Sequence, residues 1–574
     1  MRVLTICEKC IVKIEMEVGM KNRIIASALV AAMLVSMTAC ANTNSADSAG
    51  NGGAANTEAT GVANTDGGES AYQTMVSMND MAENVIDDNY RNYYQIFPYS
   101  FCDSNGDGVG DINGITSKLD YIKDMGADGL WITPVSQSPS YHKYDVVDYC
   151  SIDEQFGTLE DYENMIKECD ARDINVLFDL VVNHTSSEHP WFKEAYSYIQ
   201  SLGEGEEPNP EDCPYVEYYN FSKERESGWS VVEGTDWYYE SQFVYSMPDL
   251  NLDNENVRAE IDKIIKFWLD EGVSGFRLDA TTSYYTGRDD MNIDFMSWLN
   301  DVVKGYDPDA YIVGECWTDA STYTNYYKSG VDSFFDFDFA TKSGTIVKAL
   351  TTGSALNFGK KLVSVDEKLK ANNPDYIDAA FTSNHDTARI AGSFAGDSSE
   401  AQVKMAQGLA MMMGGAYYLY YGEELGMKGS GDDENKRTPM LWSNDENAEG
   451  MCKSIATKDI DMKYGTLEDQ QDDESSIYNF VKQGMKLRNV YPEIARGENS
   501  VEEGLSDEAV LVLKKDYDGS VIYVVINTKQ DDKTVDVSSL GDLSMGGELI
   551  TGDTTATLDA GTLDMPGYSI VILK

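Results

Sequence analysis

Three acidic side chains stand at the ends of short apolar runs. They are Asp279 in Gly275-Phe276-Arg277-Leu278-Asp279-Ala280, Glu315 in Gly314-Glu315-Cys316-Trp317, and Asp386 in Phe381-Thr382-Ser383-Asn384-His385-Asp386. A fourth run, Phe178-Asp179-Leu180-Val181-Val182-Asn183-His184, has the same texture and ends in a histidine. Carboxyl groups gathered in one site can divide labour: one with a raised pKa donates a proton, another stays ionised and attacks or stabilises positive charge. That division suits cleavage of an acetal, where carboxyls roughly 5 Å apart let the second act as nucleophile. A single Asp at a strand end is more often a cap or an ion-pair partner, so the weight lies on the set and its order. Arg277 precedes Asp279 by two residues, which in a strand turns both to one face. A guanidinium there favours the ionised carboxylate. The chain has only four histidines, His142, His184, His189 and His385, and two of them fall inside these segments.

Strands that could hold these groups read at 93–97, 129–133, 176–181, 275–279, 311–315, 333–337, 379–382 and 417–421, each β-branched or aromatic. Helix-like stretches separate them; 261–269, with Ile264, Ile265 and Trp268 on one face, is an example. Strand–helix alternation predicts a parallel sheet. Eight strands with the acidic groups at their C-terminal ends favour an α/β fold closed into a (β/α)8 TIM barrel. The barrel is expected over residues 88–496. A long aromatic, Gly/Pro-punctuated insertion at about 185–245 includes Trp229, Trp237, Tyr238 and Tyr239. From 497 to 574 the texture changes to strands around Asp518-Gly519, ending in Tyr568-Ser569-Ile570-Val571-Ile572-Leu573, which predicts a C-terminal all-β sandwich domain.

Taken together, the four segments resemble the α-amylase family of glycoside hydrolases, over residues 88 to 574. The resemblance implies that the insertion is the family's domain B. It implies Asp279 as nucleophile, Glu315 as general acid and then general base, and Asp386 as a third carboxylate that binds sugar hydroxyls and helps distort the ring. It also implies sugar hydrogen bonds from His184 and His385, stacking by Tyr144 in Tyr141-His142-Lys143-Tyr144-Asp145, and Arg389 orienting the last carboxylate. Met247-Pro248-Asp249-Leu250-Asn251, Tyr421-Gly422-Glu423-Glu424 and Arg437-Thr438-Pro439-Met440-Leu441-Trp442 resemble a branch between oligo-1,6-glucosidases and neopullulanases that includes α-amylases. Many α-amylases carry Lys-His shortly after the nucleophile, where this chain has Thr282-Ser283. The departure concerns the acceptor side, and with it the choice among endo-hydrolysis, exo-hydrolysis and transfer. The expectation is a retaining α-amylase cutting α-1,4 bonds in starch and maltooligosaccharides. The alternatives are an α-glucosidase or 4-α-glucanotransferase, or a non-catalytic glucan-binding protein on the same fold.

Asp103-Ser104-Asn105-Gly106-Asp107-Gly108-Val109-Gly110-Asp111 places oxygen side chains at alternate positions with glycines between, as loops that wrap a hard cation do. It lacks the spacing to a bidentate Glu that a complete EF-hand needs, and it resembles a Ca²⁺ loop of this family. The expected ligands are Asp103, Asn105, Asp107, Asp111 and the carbonyl of Val109, with Asn183 a candidate at the family's other Ca²⁺ position. At the N-terminus, Lys21 and Arg23 precede an apolar run that ends in Met37-Thr38-Ala39-Cys40. This predicts a signal peptide over 1–39, with Met20 as the better start than Met1, and a lipidated Cys40. A flexible tether follows over 40–87, rich in Gly, Ala, Asn, Thr, Ser and Asp. The expected location is the extracellular face of a bacterial membrane, or secretion, with membrane contact only through the lipid. With 98 acidic against 44 basic residues the formal net charge is −54, which repels nucleic acid and anionic membrane but not a neutral glucan. Nine cysteines show no zinc spacing, and export would permit disulfides.

Overall fold

The computed structural model describes residues 88–574. The signal peptide, Cys40 and the tether lie outside the described residues. Eight parallel strands form one sheet: β1 (Asn92–Ile96), β2 (Gly129–Ile132), β3 (Asn175–Leu180), β7 (Gly275–Leu278), β8 (Tyr311–Gly314), β9 (Ser333–Phe334), β10 (Ala379–Phe381) and β11 (Ala416–Tyr420). Their order is β10-β11-β1-β2-β3-β7-β8-β9, and a parallel bridge from Phe335 to Ala379 joins the two ends. The sheet is therefore a closed (β/α)8 barrel. Both faces of each strand are buried, which is why the strands read as continuous apolar runs and not as alternating ones. Tyr93, Trp131, Leu177, Tyr311, Val313, Phe335 and Tyr418 fill the interior. Tyr93 stacks between Tyr418 (4.8 Å between ring centroids) and Tyr311 (5.5 Å). The alternate residues, such as Tyr94, Ile96, Leu130 and Ile132, pack outward under the helices. Gly275 is required at the start of β7: its φ is +153°, and a Cβ there would lie 1.8 Å from the Tyr311 carbonyl.

The strands end one to three residues earlier than the apolar runs suggest. Asp279 and Glu315 are therefore the first residues past β7 and β8, released from the ladder onto the barrel rim. The insertion after β3 contains a helix, Pro190–Ser201, and a small antiparallel sheet of β4 (Phe221–Ser222), β5 (Trp229–Val231) and β6 (Tyr238–Glu240). It is pinned back to the barrel by hydrogen bonds from Leu250 N to the Asn183 carbonyl and from Thr185 N to the Pro248 carbonyl.

At the C-terminus, a five-stranded antiparallel sheet faces a three-stranded one. The hairpin of strands Val510–Tyr517 and Ser520–Asn527 turns at Asp518 and Gly519, with φ of +52° and +84° as a two-residue hairpin turn needs. Val510, Val512, Val525 and Val571 face Val535, Leu563 and Met565 inside the sandwich, while Leu511, Leu513, Ile522 and Ile570 belong to the large core shared with the barrel helices. Among the described residues, all six cysteines are unpaired and no helix is long and apolar enough to cross a membrane.

Candidate active site

Arg277 organises the site. Its side chain is fully buried, and one nitrogen, Nη1, reaches both Asp179 Oδ1 (2.8 Å) and Asp279 Oδ1 (2.6 Å), while Nη2 lies 3.1 Å from Glu315 Oε2. Asp179 sits beside Arg277 in the β3–β7 register and also accepts from Trp131 Nε1 (3.0 Å) and Tyr144 Oη (3.1 Å). One guanidinium thus joins groups from three neighbouring strands. Ala280, next to Asp279, holds φ at +50° and points its N–H at Glu315 Oε2 (3.1 Å). A non-glycine residue in this region is strained, and strain of this kind gathers at functional sites.

The three carboxylates are not equivalent. Burial, with the Asp279 and Asp386 charges beside it, outweighs Arg277 and pushes the Glu315 carboxyl up to about 8. This favours its protonated form at neutral pH. Burial alone would also raise Asp386, but His385, Arg437 and Arg277 more than offset it and hold that carboxyl well below its usual value. Gln95 Nε2 donates to His385 Nδ1 (2.8 Å), which leaves an Nε2–H to face Asp386 Oδ2 at 3.0 Å. Burial lowers the pKa of this histidine, against the pull of Asp386. Tyr144 lies parallel to the His385 ring at 5.4 Å, and its hydroxyl is 2.7 Å from Nε2. His184 is buried, with Nε2 free of any hydrogen-bond partner.

These side chains open onto a cleft of about 530 Å³ lined by Tyr144, His184, Asp279, Glu315, Asp386 and Arg437. Of the residues singled out from sequence, the structure brings together Asp279, Glu315, Asp386, Arg277, His184, His385 and Tyr144. Arg389 is the exception. It lies buried behind the cleft, donates to the carbonyls of Tyr421 (2.7 Å) and Lys436 (3.1 Å), and packs on Tyr420. The arginine on Asp386 is Arg437, at 2.7 Å from Oδ1, which also donates to the His385 carbonyl and Tyr141 Oη. Arg389 is closer to Asp386 in sequence, but the backbone turns after Thr387 and carries it under the 420–437 segment. Sequence reading also passed over Asp179, although it falls within a quoted segment, and over Trp317 and Phe243, which line the cleft.

The loop 103–111 lies away from these groups. Asp103 accepts N–H bonds from Asn105, Gly106 and Gly108, Asn105 from Asp107, and Asp107 from Val109. Asp111 accepts from Ser104 and caps the next helix through Gly114 N. Lys453 Nζ bonds the Asp107 carbonyl. Among the described residues no three His, Cys, Asp or Glu side chains converge as a metal centre. The donors are nonetheless all oxygen, and an oxygen that accepts one N–H keeps a second lone pair, so their chemistry fits a hard cation. Asn183 instead donates from its side chain to Asp249 Oδ1 (3.3 Å) and accepts at its carbonyl from Leu250.

Comparison with known proteins agrees with this geometry. The profile described as "Alpha amylase, catalytic domain" matches residues 95–497. Alpha-amylase 3 of Dictyoglomus thermophilum is 36% identical over 457 residues, covering 78% of this chain and 86% of that protein. An oligo-1,6-glucosidase of Bacillus cereus is 30% identical, covering 69% of this chain and 82% of that one. The solved structure of Eubacterium rectale Amy13B superposes with a TM-score of 0.85 at 48% identity, covering 87% of this chain and 98% of that chain.

Glu315 can donate only while protonated, so kcat/KM on a maltooligosaccharide should fall as pH rises through about 8. Glu315→Gln should lower turnover roughly 10²- to 10⁴-fold while leaving the melting temperature nearly unchanged. Full activity at pH 10, or a variant that fails by unfolding, would contradict the assignment.

Proposed function

The chain belongs to the α-amylase family of glycoside hydrolases, and we propose that within it this protein is a retaining α-amylase that cuts α-1,4 bonds in starch and maltooligosaccharides. The observation that carries the reading is the shared guanidinium: Arg277 contacts both Asp279 and Glu315, so the two carboxyls are close neighbours. Such closeness suits direct attack by a carboxylate on the sugar.

In this mechanism Glu315 protonates the leaving glycosidic oxygen while Asp279 attacks the anomeric carbon and forms a glycosyl ester. Glu315, now ionised, takes a proton from water, which displaces Asp279 and restores the starting anomer. Asp386, kept charged by Arg437 and the His385 N–H, binds hydroxyls of the same sugar. His184 Nε2 offers a further hydrogen bond, and Tyr144 supplies a stacking face. Arg277 holds the nucleophile in place through its contact with Asp279 Oδ1.

The α-glucosidase alternative draws support from the oligo-1,6-glucosidase relative and from Thr282-Ser283, which line the cleft at the positions where many α-amylases carry Lys-His. A time course on amylose and maltoheptaose, with products resolved by length, separates the readings. Mixed internal fragments from amylose are expected. Glucose alone would point to an α-glucosidase, and a ladder longer than maltoheptaose to a glucanotransferase.

The same proposal includes structural Ca²⁺ held by Asp103, Asn105, Asp107, Asp111 and the Val109 carbonyl, with the Lys453 ammonium giving way. Dialysis against chelator should lower the melting temperature and added Ca²⁺ should restore it. An unchanged melting curve, with no Ca²⁺ found in the protein by elemental analysis, would remove the ion from the account. It also includes a lipid-anchored, extracellular enzyme, supported by Lys21, Arg23 and the Met37-Thr38-Ala39-Cys40 sequence. Cys40→Ala should move the enzyme from the membrane fraction to the medium; an unaltered distribution would count against the anchor.

A further inference from the structure

Phe243, Val244 and Tyr245 are consecutive and 51%, 40% and 69% exposed. They supply three of the seven large apolar side chains left exposed among the described residues. Apolar side chains clustered in this way on a polar surface mark an interaction site.

The backbone beneath them is tied down. Met247 N donates to the Val244 carbonyl (2.9 Å), Tyr239 Oη to the Tyr245 carbonyl (2.7 Å), and Ser187 N to the Ser246 carbonyl (2.8 Å). Gln242 N donates to Asp249 Oδ2 (3.0 Å). A fixed turn that leaves its side chains outside is built to present them. Its inner end belongs to the cleft, since Phe243 lines the cavity with its ring centroid 5.3 Å from that of His184. On the same cavity, Trp317 is half exposed and stacks on Phe337 at 4.9 Å and 12°.

We propose that Phe243, Val244 and Tyr245 form an apolar ledge that receives an α-glucan chain as it leaves the cleft, an outlying sugar-binding subsite on domain B. The inference rests on the α-glucan reading above. The occupant is identified by continuity: the ledge begins at a side chain that lines the cleft, so a polymer held there meets Tyr245 next. A pyranose ring offers a C–H face that packs on an aromatic ring and hydroxyls that stay in water. A second copy of the chain is disfavoured because each carries a formal charge of −54. Binding on the ledge would be apolar and nearly independent of salt, unlike contacts through a lysine near the nucleophile.

The test uses Tyr245, whose side chain does not line the cleft. For Tyr245→Ala, kcat/KM on amylose should fall roughly three- to tenfold, mostly through KM, while 4-nitrophenyl α-maltoside is cleaved as before. Tyr245→Trp should restore the amylose value. Equal loss on both substrates, or no loss on amylose, would overturn the ledge. Binding decides the matter apart from catalysis. Retardation of Glu315→Gln in amylose-containing native gels should weaken when Tyr245→Ala is added. If Glu315→Gln is retarded and the double variant equally so, the ledge is wrong while the α-glucan reading stands. If the wild type cleaves no α-glucan and Glu315→Gln is not retarded, both fail. Sedimentation showing a dimer that Tyr245→Ala dissociates, with unchanged amylose kinetics, would assign the surface to self-association.

Discussion

A single fully buried guanidinium governs the arrangement of this site. Arg277 cannot lose its charge and has no solvent, so its fold must surround it with anions. Asp179, Asp279 and Glu315 meet that need. Burial nevertheless outweighs that cation at two of them: with the Asp279 and Asp386 charges it raises the Glu315 carboxyl to about 8, and with Asp279 it raises Asp179 to about 7. Removing the arginine would leave its partners buried and uncompensated, an expense of several kcal/mol for such groups.

The barrel makes this arrangement possible through geometry that has nothing to do with chemistry. Parallel strands bring Asp179 and Arg277 into register, and both project inward above Trp131. Stacked aromatic rings fill the space below, so water cannot approach from beneath. The β-sandwich turns its other face, with Leu511, Leu513 and Ile570, onto the barrel helices, which makes it part of the support.

The rest of the cleft is built from segments distant in sequence. Domain B contributes Phe243 and Met247, the loop after β2 contributes Tyr144, and the segment after β11 contributes Arg437. These walls are held by local tethers: Arg389 anchors Lys436 from behind, which fixes the backbone that carries Arg437 onto Asp386. The barrel rim sets Asp279 and Glu315, while these walls set the shape of the cleft around them.

Sequence alone determined the eight strands, their closure into a barrel and the sandwich, and it singled out three carboxylates that the structure brings to one cleft. Each depends on local texture: an apolar run buried on both faces, a glycine where the chain must pass a carbonyl, an acidic residue directly after the run. Even the two-residue turn at Asp518-Gly519 was legible, since its backbone angles favour those residue types. Arg437, not Arg389, as the partner of Asp386 was decided only in three dimensions, because the pairing spans 51 residues and depends on how a loop folds back. How far the Glu315 carboxyl rises, and the exposure of Phe243 to Tyr245, were decided there too. A pKa reports every charge and every layer of protein around a group, and exposure reports what fails to cover it; neither is a property of the residues next to it in the chain.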